Sequence, residues 1–187
     1  MFKRLQNVIF FLELISFLLY NNLQERDDIM KLVTKFVCKF FKTDDIIRYV
    51  MDFDSELNSE ELDILVKKIC SSNNFTYIYW FTYVTKNLSE ENKKTLVNAV
   101  CNMENSRYIY VFAKYIKGLS EENKKALKSA ILSLNDTEFI DRYALYVDKS
   151  IIFEKYGTIE NFHMHLNEVE NNKKDSILKH KKYVYKI

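Results

Sequence analysis

A chain of 187 residues is long enough to hold one domain with a substantial core. It has no proline and only two glycines, Gly118 and Gly157, both where helices should end, so its composition favours unbroken helix. The net charge of +2 divides into +5 on residues 171–187 and −3 on residues 1–170, which argues against a duplex-binding channel along the body.

Residues 1–22 open with Lys3 and Arg4 and continue into an apolar run from Val8 to Tyr20. The run is signal-like, but Glu13 interrupts it and no small-residue cleavage site follows. It is also shorter than the about 20 apolar residues of a membrane span. The reading adopted is an amphipathic helix that caps the first helical unit. Residues 23–56 follow as a degenerate hairpin. Ile29, Met30, Leu32, Val33, Phe36 and Val37 form its first helix, and Thr43 or Asp44 caps a second that carries Ile46, Ile47, Val50 and Met51.

Residues 57–150 state one pattern three times: LNSEELDILVKKICSSNNFTYIYWFTYVTKN, LSEENKKTLVNAVCNMENSRYIYVFAKYIKG and LSEENKKALKSAILSLNDTEFIDRYALYVDK. Leu57, Leu88 and Leu119 open the copies, 31 residues apart. A period of this size predicts stacked units that cannot bury an apolar face alone. Each copy holds two apolar runs with helical spacing, such as Leu96, Val97, Val100, Met103 and then Tyr108, Ile109, Phe112, Tyr115, Ile116. Leu96, Val100, Ile109 and Phe112 should be buried together. Asn74, Asn105 and Asp136 stand where a side-chain oxygen can cap the second helices, and Ser89 and Ser120 where one can cap the first. Asn87 and Gly118 are placed to end second helices in the left-handed conformation. The fold class is therefore all-α, an α-solenoid of stacked helical hairpins.

Cys70 and Cys101 lie one period apart, the next equivalent is Leu132, and Cys38 fills a similar place earlier. A slot that accepts Cys, Cys and Leu is apolar packing, not a metal or disulfide site. After Ser150 the period fades into a short helix ended by Gly157. A further helix capped by Thr158 runs through Phe162, Leu166 and Val169, and an irregular basic tail follows from Asn171. The whole chain, 1–187, reads as one domain. His163 and His165 are two apart and share no helix face, so no metal is assigned. Phosphate-loop, nucleophile-elbow and zinc-protease motifs are missing, and the placeable carboxylates sit at helix starts or in solvent; no enzyme activity and no cofactor are assigned.

The chain has 14 phenylalanines and 13 tyrosines, an excess that points to a surface role for some. Helical phase turns Tyr79 and Tyr83 away from the side bearing Ile78 and Phe81, and does the same for Tyr110, Lys114 and Asp141 in the next two copies. With Arg107 and Arg142 nearby, these residues have the composition of a partner-binding face. The alternative is ordinary surface and packing against the neighbouring helices. The lysine pairs Lys67–Lys68, Lys93–Lys94 and Lys124–Lys125 follow acidic residues by about one turn and read as solvated ion pairs. Possible phosphate contacts are confined to Lys173, Lys174, Lys179, Lys181, Lys182 and Lys186.

The phrases YIYWFTYV and RYIYVFAKYIKG resemble short α-solenoid repeats of the YIYxFA type, associated with AT-rich bacterial genomes and phages and related broadly to HEAT-like hairpins. The resemblance covers about half the chain and carries over no catalytic residue. It implies a scaffold that binds macromolecules. The first reading is a cytoplasmic protein that binds another protein, as an adaptor or as a stoichiometric inhibitor of the immunity or anti-defence kind. The second reading is a nucleic-acid or ribonucleoprotein binder using tyrosine stacking and the basic tail. No membrane partner is expected.

Overall fold

The computed structural model describes residues 26–55 and 57–184, and these contain helices and no strand. In chain order the helices are α1 (Arg26–Phe40), α2 (Thr43–Phe53), α3 (Ser59–Ser71), α4 (Phe75–Val84), α5 (Glu90–Cys101), α6 (Ser106–Tyr115), α7 (Glu121–Ser133), α8 (Thr137–Tyr146), α9 (Ile151–Tyr156) and α10 (Ile159–Val184). The helix read within residues 1–22 lies outside the described residues.

The hairpins begin and turn on local chemistry. Asn74, Asn105 and Asp136 accept backbone N–H groups of α4, α6 and α8, and Ser89 and Ser120 do so for α5 and α7. Asn58 caps α3 reciprocally: the Glu61 N–H donates to Asn58 Oδ1, and the Glu61 carboxylate accepts from the Asn58 N–H at 2.7 Å. Thr158 likewise accepts the Asn161 N–H at the start of α10. Helix α2 departs from expectation. Neither Thr43 nor Asp44 caps it, because the chain is already helical at Thr43 and Lys42 occupies the cap position without a side-chain bond. Asp44 and Asp45 instead set negative charge against its positive end.

The left-handed residues also fall elsewhere. Asn73, Glu104 and Asn135, 31 apart, take φ of 46°, 49° and 53° inside the hairpins, directly before the caps of the second helices. Gly118 has a positive φ, but its equivalent Asn87 does not. The reason is visible at Thr85 and Ile116, which leave α4 and α6 in extended conformation, so no left-handed residue is needed to close either helix.

Packing runs in two rows. The first helices α1, α3, α5 and α7 contact one another in series, as do the second helices α2, α4, α6 and α8, and each hairpin from α3 onward closes on its own pair. Between the rows lies the core. Equivalent positions carry equivalent burial: Leu65, Leu96 and Leu127 are fully buried, as are Ile69, Val100 and Ile131, and Ile78, Ile109 and Ile140. Phe81, Phe112 and Tyr143 fill one level with large rings. The expected set Leu96, Val100, Ile109 and Phe112 is thus buried together, each side chain contributing about 1.5–3 kcal/mol by leaving water. Leu32 and Met51 are exceptions to the apolar reading of residues 23–56. They fall off the stripes formed by Met30, Val33 and Val37 and by Ile46 and Val50, and stand in solvent.

The C-terminal segment is more regular than expected. Helix α10 continues unbroken to Val184, so Lys173, Lys174, Lys179, Lys181 and Lys182 lie on a helix and not on an irregular tail; Lys186 lies outside the described residues. With no proline or glycine after Gly157, nothing in the sequence stops it.

Candidate interaction surface

Six of the ten residues of α4, FTYIYWFTYV, are aromatic, and none is charged. One helix cannot bury rings on every side, so Phe81 enters the core while Trp80 and Tyr83 remain in solvent. Tyr79 and Tyr83 stack with centroids 6.1 Å apart, and Trp80 stands edge-on to both at 5.6 and 5.8 Å. The Tyr79 hydroxyl is pushed up, first by burial and then by the neighbouring Tyr83 and Tyr115 hydroxyls, which marks where the α4 rings meet α6.

On α6 the ammonium of Lys114 donates to the Tyr110 hydroxyl at 3.0 Å. It lies over three rings, those of Tyr146 at 4.5 Å, Tyr115 at 5.3 Å and Tyr110 at 5.4 Å. The bond to Tyr110 raises its pKa, so the charge is kept at neutral pH. On α8 the Arg142 guanidinium pairs with Glu138 at 2.7 Å and covers the Phe139 ring, which packs 6.0 Å from Tyr110. The exposed members Trp80, Tyr83, Tyr115 and Tyr146 therefore line three successive second helices.

The residues expected on this face divide accordingly. Tyr83, Arg107 and Arg142 are exposed, and Tyr79 and Lys114 are half-buried within the aromatic array. Tyr110 and Asp141 are corrections: they were placed outward, and they are only 7 % and 8 % exposed. Phase about one helix axis separates them from the hairpin core, but adjacent second helices flank that side. Tyr110 is covered by Phe139 and by the Lys114 stem, and Asp141 by α9 and α10. There Asp141 accepts from the Tyr156 hydroxyl and faces His165 Nε2 at 3.1 Å. Burial, then the bond to Asp141, pushes the Tyr156 hydroxyl well up. His165 so gains a carboxylate partner unseen from sequence, while His163 is exposed. Among the described residues no group of three or more His, Cys, Asp or Glu is placed to hold a metal ion.

Trp80 and Tyr146 escaped the sequence reading, and Tyr115, read with the apolar run of its helix, instead stands 47 % exposed at its last turn. Tyr115 and Tyr146 are 31 apart, and a comparison of the last turns of the second helices would have found them. The cysteines behave as expected of packing residues. Cys38, Cys70 and Cys101 are half-buried against the core, and burial pushes each thiol up to about 11. Lys93 and Lys124 pair one turn back with Glu90 and Glu121, whereas Lys94 reaches across to Glu122 of α7.

A cleft of about 780 Å³ lies between α7, the ends of α6 and α8, and the start of α9. Its floor is apolar, with Ile116, Leu127 and Val147, and its rim is charged. Lys128 there is already held by Glu154 and Asp148, so the rim largely satisfies itself. Among the described residues no helix is long and apolar enough to cross a membrane. The chain matches no protein-family model, and no curated protein or solved structure is significantly similar to it.

Proposed function

We propose that this chain is a non-enzymatic scaffold, an α-solenoid of HEAT-like hairpins with a 31-residue repeat, that binds another protein through its second-helix face. An adaptor and a stoichiometric inhibitor are the two forms this activity takes. The observation that carries the reading is the exposure of Trp80, Tyr83, Tyr115 and Tyr146 on three successive helices. Large rigid rings left in water beside cations are the usual anchors of protein interfaces. The weak charge of the face supports a protein partner over a nucleic acid. Helix α4 has no cation and Arg142 is paired with Glu138, which leaves only Arg107, Lys114 and Lys117, all on or just beyond α6, to meet a phosphate backbone.

The test is a pull-down from the source cell with the full chain and with a Tyr83→Ala, Tyr146→Ala double variant, read by mass spectrometry. A partner retained by the native chain and lost by the folded double variant supports the reading. An unchanged set of captured proteins sinks it.

A further inference from the structure

We infer that Lys114 is the anchor for a carboxylate of the partner, so that the face selects an acidic protein segment carrying Asp or Glu beside apolar residues. This rests on the reading of the second-helix face as a protein-binding surface and names what that surface recognises.

Geometry makes the ammonium both fixed and available. Three tyrosine rings and the Tyr110 hydroxyl hold Lys114 Nζ in place, so little side-chain freedom remains to be lost on binding. An ammonium has three donors; Tyr110 takes one and the Tyr115 hydroxyl is placed to take a second, which leaves a third for a ligand. Tyr115 and Tyr146 are exposed, which opens the charge to a ligand arriving from solvent. Those rings would also exclude water around an incoming carboxylate, and an ion pair strengthens as its surroundings dry.

Charge complementarity fixes the sign of the ligand. Glu138 is taken by Arg142, and Asp141 by Tyr156 and His165, so the carboxylates nearest this face are engaged. Among the described residues Lys114 has hydroxyl and ring partners and no ion pair. The Lys117 ammonium donates to the Lys114 carbonyl at 3.4 Å, which brings a second cation to the same end of α6. A basic segment would meet two uncompensated cations. A nucleic acid would find no cation along α4, where its stacking partners Trp80 and Tyr83 stand.

The probe is a random dodecapeptide library displayed on phage and panned on the immobilised full chain, with enriched peptides resynthesised. Trp80, the one tryptophan, reports binding by its fluorescence. Enriched peptides should pair Asp or Glu with apolar residues. Lys114→Gln should weaken them about tenfold or more, while Lys114→Arg, which keeps the charge, should retain most of the affinity. Thermal melting checks that each variant stays folded. Neutral or basic peptides that need Tyr83 and Tyr146 but ignore Lys114→Gln would overturn the carboxylate anchor and leave the protein-binding face standing. Peptides indifferent to Tyr83, Tyr146 and Lys114 alike would overturn both. Displacement of face-bound peptide by an oligo(U) strand would assign the face to nucleic acid and overturn the inference.

Discussion

Phe75 and Tyr108, on successive second helices, stack with ring centroids 4.3 Å apart and planes 1° from parallel. The pair joins α4 to α6 at the ends where both helices begin, beside the caps Asn74 and Asn105. Stacked aromatic pairs contribute about 0.5–1.5 kcal/mol beyond the area they bury. A double-mutant cycle of Phe75→Ala and Tyr108→Ala in urea unfolding should return a coupling of that size. Strict additivity would mean the two helices are held together by other contacts alone.

Tyr83 and Tyr110 should separate folding from binding. Tyr83 is 59 % exposed and Tyr110 is 7 % exposed. Tyr83→Ala should change stability by less than about 1 kcal/mol, as surface substitutions do. Tyr110→Ala removes a ring packed between Phe139 and Lys114 and should cost about 2 kcal/mol or more. Equal losses in chemical denaturation would contradict this division.

Glu104 occupies a position where its equivalents are Asn73 and Asn135, all three with positive φ. The left-handed conformation costs an ordinary side chain roughly 1–2 kcal/mol, and asparagine is among the residues that tolerate it best. Glu104→Asn should therefore stabilise the protein by about 0.5–1 kcal/mol. A lower melting temperature would show that the Glu104 carboxylate makes a compensating contact.

The three thiols give a pH signature. Burial raises Cys38, Cys70 and Cys101 from an ordinary 9.0 to about 11. At pH 8 the folded chain should react with iodoacetamide about a hundredfold more slowly than the unfolded chain, in proportion to its thiolate. A raised pKa means that the folded state holds the proton more tightly. The stabilisation is complete below about pH 9 and is lost as the pH climbs through about 11. Equal alkylation rates in the two states would show that the thiols are open to solvent.

The sequence spoke clearly about whatever depends on one hairpin. Leucines, isoleucines and phenylalanines at matched positions named the core, because a 3.6-residue period faces them inward together. Side-chain caps at Ser89, Asn105 and Asp136 were legible for the same reason, since capping involves only the next two or three residues. What stayed hidden depends on neighbouring helices. The burial of Tyr110 and Asp141 comes from α8, α9 and α10, and a wheel drawn about one axis contains none of them. The left-handed turn at Glu104 was hidden differently: glutamate carries no turn signal, and only its alignment with Asn73 and Asn135 betrays it. Trp80 was passed over because its equivalents, Val111 and Arg142, share no chemistry with it.

Among the described residues, every pair of helices in substantial contact is adjacent in the chain or separated by a single helix. Assembly therefore closes only short loops, and little chain entropy is lost before packing begins to repay it. Such a chain should fold in microseconds to milliseconds, and by small steps from whichever hairpin forms first. Unpacking has the same geometry. An opening at α1 and α2 breaks contacts with α3 and α4 and leaves the ring levels at Phe112 and Tyr143 untouched, so amides of α1 and α2 can exchange while those of α5 and α6 stay protected.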